Sequence, residues 1–140
     1  MVLIVLQFLV EKLEMFDARF FNIMPSDAKA MDPQHRLLLE YSYLAFADAG
    51  YTRSDLEGSN VGVFVGMMAQ DANYLPRSSP VHPSHVSVAP GRVSFTFGLR
   101  GPCEGHDTAC SSSHVAVDMG CQALTSRRCA VAVACGVNLM

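Results

Sequence analysis

The chain has 140 residues, of which 50% are hydrophobic and 16% charged, with ten basic against thirteen acidic side chains. A chain of that size buries about two-thirds of the surface its unfolded form exposes, and this composition is that of a core-rich globular protein, the opposite of a disordered one. The balance is mildly acidic and no Lys/Arg cluster occurs, which argues against a nucleic-acid partner.

The opening MVLIVLQFLV is apolar but lacks a basic leader region and a small-residue cleavage site. Ten residues are too few to span a bilayer, so it is expected to be a buried strand or helix segment, and the protein to be intracellular, most simply cytoplasmic, with no membrane partner. In MDPQHRLLLEYSYLAFADAGY, Asp32 suits an N-cap, Pro33 a first helical position and Gly50 a left-handed stop. A helix is predicted between them, with Leu37, Leu38, Tyr41, Leu44, Ala45 and Asp48 at three-and-four spacing along its core face and edge. TRSDLEGSN is turn material, and VGVFVG reads as a buried strand.

From Met67 to Ser87 the chain carries Pro76, Pro80 and Pro83, which exclude a regular element over most of that stretch and predict a loop. The run around Val93, Phe95 and Phe97 fits a strand by alternation or a short helix after Pro90, and periodicity alone does not separate them. SSSHVAVDMGCQALTSRR has Val115, Ala116, Met119, Ala123 and Leu124 at helical spacing, with Arg127 and Arg128 expected in its last turn. CAVAVACGVNLM closes the sequence as a second buried strand, interrupted at Gly136 and expected to form an unpaired sheet edge. Helices alternating with buried strands predict an α/β fold with a mixed sheet and packed helices.

Five cysteines, Cys103, Cys110, Cys121, Cys129 and Cys135, crowd the last third, an odd number that favours reduced thiols over a disulfide framework. For four of them packing is the expected role. Cys110 differs because it falls between an extended approach, CEGHDTA, and the start of a helix. The positive end of a helix favours an anion by roughly 0.3–1 kcal/mol, and its unpaired N–H groups suit a developing oxyanion. The small neighbours Ala109, Ser111 and Ser112 are expected to leave an acyl group room to approach the sulfur. Cys103, His106, Cys110 and His114 also form a C-x2-H-x3-C-x3-H spacing of zinc-competent types. That spacing crosses a strand, a turn and a helix start, so a metal site is ranked low. His35, His82 and His85 are expected to be solvated or capping residues.

With those residues in view, the sequence resembles the β-ketoacyl synthase (ketosynthase) domains of polyketide and fatty-acid synthases, in the thiolase-like superfamily. FDARFFNIMPSDAKAMDPQHRLLLEYSYLAFADAGY is similar to a family stretch that includes MDPQxRLLLE, and GSNVGVFVG to the strand after it. GRVSFTFGLRGPCEGHDTACSSSHVAVDMGCQAL resembles the segment bearing the active-site cysteine, and VAVACGVNLM the strand that follows. The likeness runs over residues 16–140, with residues 1–15 a divergent N-terminal segment. It implies a partial thiolase-like α/β fold, the N-terminal part of the domain.

By the resemblance, Cys110 is the catalytic nucleophile that takes an acyl group from the phosphopantetheine thioester of an acyl carrier protein, and its own N–H forms half of the oxyanion hole. A malonyl-type extender then loses carbon dioxide and attacks the acyl-cysteine, giving a β-keto thioester; no directly bound cofactor is implied. The implied partners are the carrier protein, the acyl and malonyl thioesters, and a second copy or the remainder of a larger synthase. The family's HGTGT-like and NxGH-like histidine motifs do not occur in this sequence, so the chain looks truncated, and a non-catalytic remnant or interaction module is the alternative. Cys103 stands where the family usually has Ser, His106 and His114 where apolar residues are common, and Cys135 where Gly is usual.

Overall fold

The computed structural model describes residues 1–6, 15–68 and 85–138. Strands β1 (Val2–Leu6), β2 (Val61–Met67), β3 (Cys103–His106) and β4 (Val131–Val137) form one sheet in the order β1-β4-β2-β3. All its pairings are parallel, with Val2 opposite Ala132, Val61 opposite Val131 and Val63 opposite Cys103. The α/β expectation holds, while the described sheet is parallel where a mixed one was expected. The reason is connectivity: α4 (Val88–Phe97) lies between β2 and β3, and α5 (Ser112–Thr125) between β3 and β4, so each strand is re-entered from the same end.

The C-terminal strand is not an edge. β4 lies between β1 and β2 and runs unbroken through Gly136, which pairs with both Leu6 and Gly66; the edges are β1 and β3. Most of the predicted loop, residues 69–84 with Pro76, Pro80, Pro83 and His82, lies outside the described residues.

The period-two alternation of β2 and β4 sorts the two faces. Val61, Val63, Val65 and Met67, with Val133, Cys135 and Val137, join a large core with α4 and α2 (Pro33–Asp48). The opposite face carries Gly62, Phe64, Gly66, Ala132, Ala134 and Gly136, and α5 packs on it. The part of that face contributed by β2 and β4 is made of small residues apart from Phe64, so the helix approaches closely. Two short helices, α1 (Pro25–Ala30) and α3 (Arg53–Leu56), flank α2 in the chain.

α2 begins and ends as its sequence predicts. The Asp32 carboxylate accepts the Gln34 N–H at 2.8 Å, Pro33 occupies the first turn, and Gly50 takes a φ of 82°. Its buried stripe differs in membership: Leu37 and Leu38 are buried as expected, but His35, Leu39, Ser42 and Phe46 are enclosed with them, whereas Leu44 is 54% exposed. Two polar side chains inside the stripe hid its phase from a count of apolar residues. His35 is fully buried rather than solvated, and Ser42 sits 3.6 Å from the Cys135 sulfur. The run around Phe95 is a helix, capped by Gly98 with a φ of 69°. Phe97 on it meets Phe46 edge-on at 5.5 Å.

Candidate active site

Cys110 lies in the turn between the end of β3 at His106 and the start of α5 at Ser112, at the C-terminal end of the parallel strands. Open parallel sheets place their sites at that end. The thiol is exposed. The residue before it, Ala109, is held at a φ of 56°, in the left-handed region that a non-glycine residue rarely occupies.

The polar residues of DTACSSS hold this bend. Asp107 Oδ1 accepts the Ala109 N–H at 3.1 Å. The Ser111 hydroxyl donates to the Thr108 carbonyl at 2.8 Å, and the Ser112 N–H donates to the Ala109 carbonyl at 3.1 Å. Ser112 Oγ accepts the Thr108 N–H at 2.9 Å and donates to the Ala109 carbonyl at 2.7 Å. Ser111 is the N-cap residue of α5, yet its hydroxyl makes no cap bond because it is turned back onto the loop. The first amides of α5 are left without a side-chain cap, and the positive helix end stands beside the thiol.

Ala109 and Ser111 are exposed beside the sulfur, but Ser112 is only 4% exposed and lies beneath the turn. α5 rests on the sheet through Ser112, Ala116, Gly120 and Ala123; Ala116 and Ala123 belong to the expected stripe, and Met119 and Leu124 are partly buried against the same cluster. At its first turn the approach is closest: a Cβ on Gly66 would stand 2.5 Å from the Ser113 N and nearer still to the Ser112 carbonyl. The pattern Gly-x-x-x-Gly in VGVFVG was the available signal for this contact.

The histidines bracketing the thiol do not engage it. His106 Nε2 is 3.7 Å from Glu104 Oε2, and Glu104 Oε1 also accepts from Arg128 at 2.7 Å. His114 is exposed on α5. Among the described residues, no hydrogen bond reaches the Cys110 sulfur, and no three His, Cys, Asp or Glu side chains are grouped to hold a metal ion. Arg127 and Arg128 lie past the end of α5 at Thr125, Arg127 with a φ of 58°, so they are not in its last turn.

Of the cysteines expected to pack, Cys129 and Cys135 are buried, while Cys103 on the edge strand and Cys121 on α5 are exposed. Cys129 precedes β4 rather than beginning it. Burial pushes the Cys135 thiol up to about 11, keeping it neutral beside Ser42. His35 has both ring nitrogens enclosed without a hydrogen-bond partner, and burial, with a smaller effect of the Arg92 guanidinium, lowers its pKa to about 3.

Residues 5–140 match the family model described as the N-terminal domain of β-ketoacyl synthase. The chain belongs to that family. The ketosynthase chain is 47% identical over 134 residues to the polyketide synthase GfsA of Streptomyces halstedii, covering 89% of this chain and 2% of the relative. It is 45% identical over 140 residues to the polyketide synthase-nonribosomal peptide synthetase ACE1 of Pyricularia oryzae, covering 95% and 4%.

Among solved structures, the ketosynthase from module 6 of the bacillaene synthase of Bacillus subtilis 168 superposes with a TM-score of 0.86 at 37% identity, over 94% of this chain and 23% of that one. The oxazolomycin ketosynthase domain OzmH KS8 of Streptomyces albus JA3453 gives 0.74 at 41%, over 89% and 30%. The chain therefore spans a few hundredths of the curated synthases and about a quarter of the bacillaene ketosynthase. No helix among the described residues is long and apolar enough to cross a membrane.

Proposed function

We propose that Cys110 is the acyl-accepting nucleophile of a polyketide-type ketosynthase. The observation that supports this most directly is the exposed thiol on a strained turn at the N-terminus of α5, with the loop's polar side chains engaged in holding that turn. The thiolate attacks the carbonyl of an acyl thioester on the phosphopantetheine arm of an acyl carrier protein. The tetrahedral oxyanion faces amides of the turn and helix end, and collapse expels the carrier thiol and leaves an acyl-cysteine.

In the condensing step a malonyl-type thioester loses carbon dioxide, and the resulting carbanion attacks the acyl-cysteine carbonyl. The new carbon–carbon bond gives a β-keto thioester and frees the Cys110 thiol. The family's histidine motifs for this second step are not in the present sequence, so the residues described here account for acyl loading. Likeness to polyketide synthases favours polyketide assembly over fatty-acid synthesis. The carrier protein, the rest of a synthase and a second copy of the chain are the partners this reading requires.

Incubation of the full natural chain with an acyl-carrier thioester should add one acyl mass to a peptide containing Cys110, and Cys110→Ala should abolish the adduct. A folded protein that stays unacylated at Cys110 overturns the proposal.

A further inference from the structure

We propose that Ser112 is a positioning residue for the Cys110 nucleophile; this rests on the acyl-loading reading of the same site. Ser112 is 4% exposed, and its single hydroxyl serves both sides of the left-handed residue before the thiol. It accepts the Thr108 N–H at 2.9 Å and donates to the Ala109 carbonyl at 2.7 Å. One oxygen thus ties the peptide group entering Thr108 to the one leaving Ala109 and closes the bend around Ala109, whose φ of 56° sets the direction in which the chain reaches Cys110.

The neighbouring clamps differ from it in one physical respect. Asp107 and Ser111 are exposed, so water can replace their bonds to the loop when they are truncated. Ser112 is buried, and its backbone rests directly on β2, where a Cβ on Gly66 would meet the Ser112 carbonyl. Loss of the hydroxyl takes the side-chain acceptor from the Thr108 N–H and leaves the Ala109 carbonyl with the Ser112 N–H alone. Ala109 is then free to relax toward a common φ, which turns the Cys110 sulfur and amide away from the geometry they hold together.

Acylation by a carrier thioester needs the sulfur and the oxyanion-binding amides in register, whereas alkylation by iodoacetamide needs the sulfur alone. In the full natural chain, Ser112→Ala should slow single-turnover acylation of Cys110 by about ten- to a hundredfold at saturating acyl-carrier thioester. Its iodoacetamide alkylation rate and its affinity for the carrier should stay within about threefold of wild type. Ser112→Thr, which keeps the hydroxyl, should restore most of the acylation rate.

Equal losses in acylation and alkylation would show a collapsed loop and overturn the proposal, as would Ser112→Ala acylating at the wild-type rate. Failure of Ser112→Thr to recover more than Ser112→Ala also counts against it. A wild-type chain that alkylates at Cys110 but never acylates refutes the acyl-loading reading itself, and so is distinguishable from either result.

Discussion

Replacing Gly66 by alanine probes the contact that seats Cys110, the proposed nucleophile. The added Cβ would stand 2.5 Å from the Ser113 N and closer to the Ser112 carbonyl, and these are backbone atoms that no rotamer change can move aside. Ordinary heavy-atom contact is about 3.5 Å, so the first turn of α5 must retreat by roughly 1 Å, or the sheet must yield by the same amount. Overpacking of that kind costs about 1–3 kcal/mol, and a displacement of roughly 1 Å at a reacting group can cost about a hundredfold in rate. Gly66→Ala is therefore expected to lower both stability and the rate of Cys110 acylation, measured by denaturant unfolding and by timed intact-mass analysis with an acyl-carrier thioester. Alanine at Gly91, where a Cβ meets nothing within 4 Å, serves as the control. Wild-type acylation and stability in Gly66→Ala would refute the idea that close helix–sheet approach sets the thiol's place.

His35 has its folded pKa lowered from 6.5 to about 3, so the unfolded chain binds the extra proton first as pH falls. The stability this contributes is present above pH 6.5 and is lost progressively toward pH 3, amounting to about 2 kcal/mol by pH 5. Unfolding midpoints at pH 7 and pH 5 should therefore differ more in wild type than in His35→Leu, and identical pH slopes would contradict the assignment. Phe64 is the one large side chain that β2 and β4 place on the face that receives α5, and it is fully buried against Gly62 and Gly120. Phe64→Ala should cost about 3–5 kcal/mol in a chemical unfolding experiment, and a loss under about 1 kcal/mol would mean that the helix does not rest there.

Much of the framework was legible because it is local. Asp32, Pro33 and Gly50 bound a helix through capping and φ preference, which act within a few residues of the chain. The β2 run is β-branched and apolar on both faces, as a strand between two helical layers must be. What stayed hidden was which face a helix buries. His35 and Ser42 lie in the enclosed stripe of α2 and Leu44 does not, because the stripe is set by what packs against it. Likewise α5 buries Ser112, Ala116, Gly120 and Ala123, since the sheet beneath it offers glycine and alanine and admits a small-residue face.

The site divides in the same way. From the sequence alone, DTACSSS at a strand-to-helix junction, with its resemblance to the ketosynthase segment, singled out Cys110 as the candidate nucleophile, because residue type and position near a helix start are one-dimensional information. The tertiary structure decided how the surrounding letters act. It turned the Ser111 hydroxyl back onto the loop, placed Ser112 beneath the turn and Gly66 beneath Ser112, and paired Glu104 with Arg128 and His106. It also put β4 in the interior of a parallel sheet instead of at its edge. Several of those outcomes depend on contacts between segments distant in the chain, such as Gly66 with Ser112 and Glu104 with Arg128, and on strand order. Such long-range contacts leave no periodic trace in the chain, so only the packed structure fixes them.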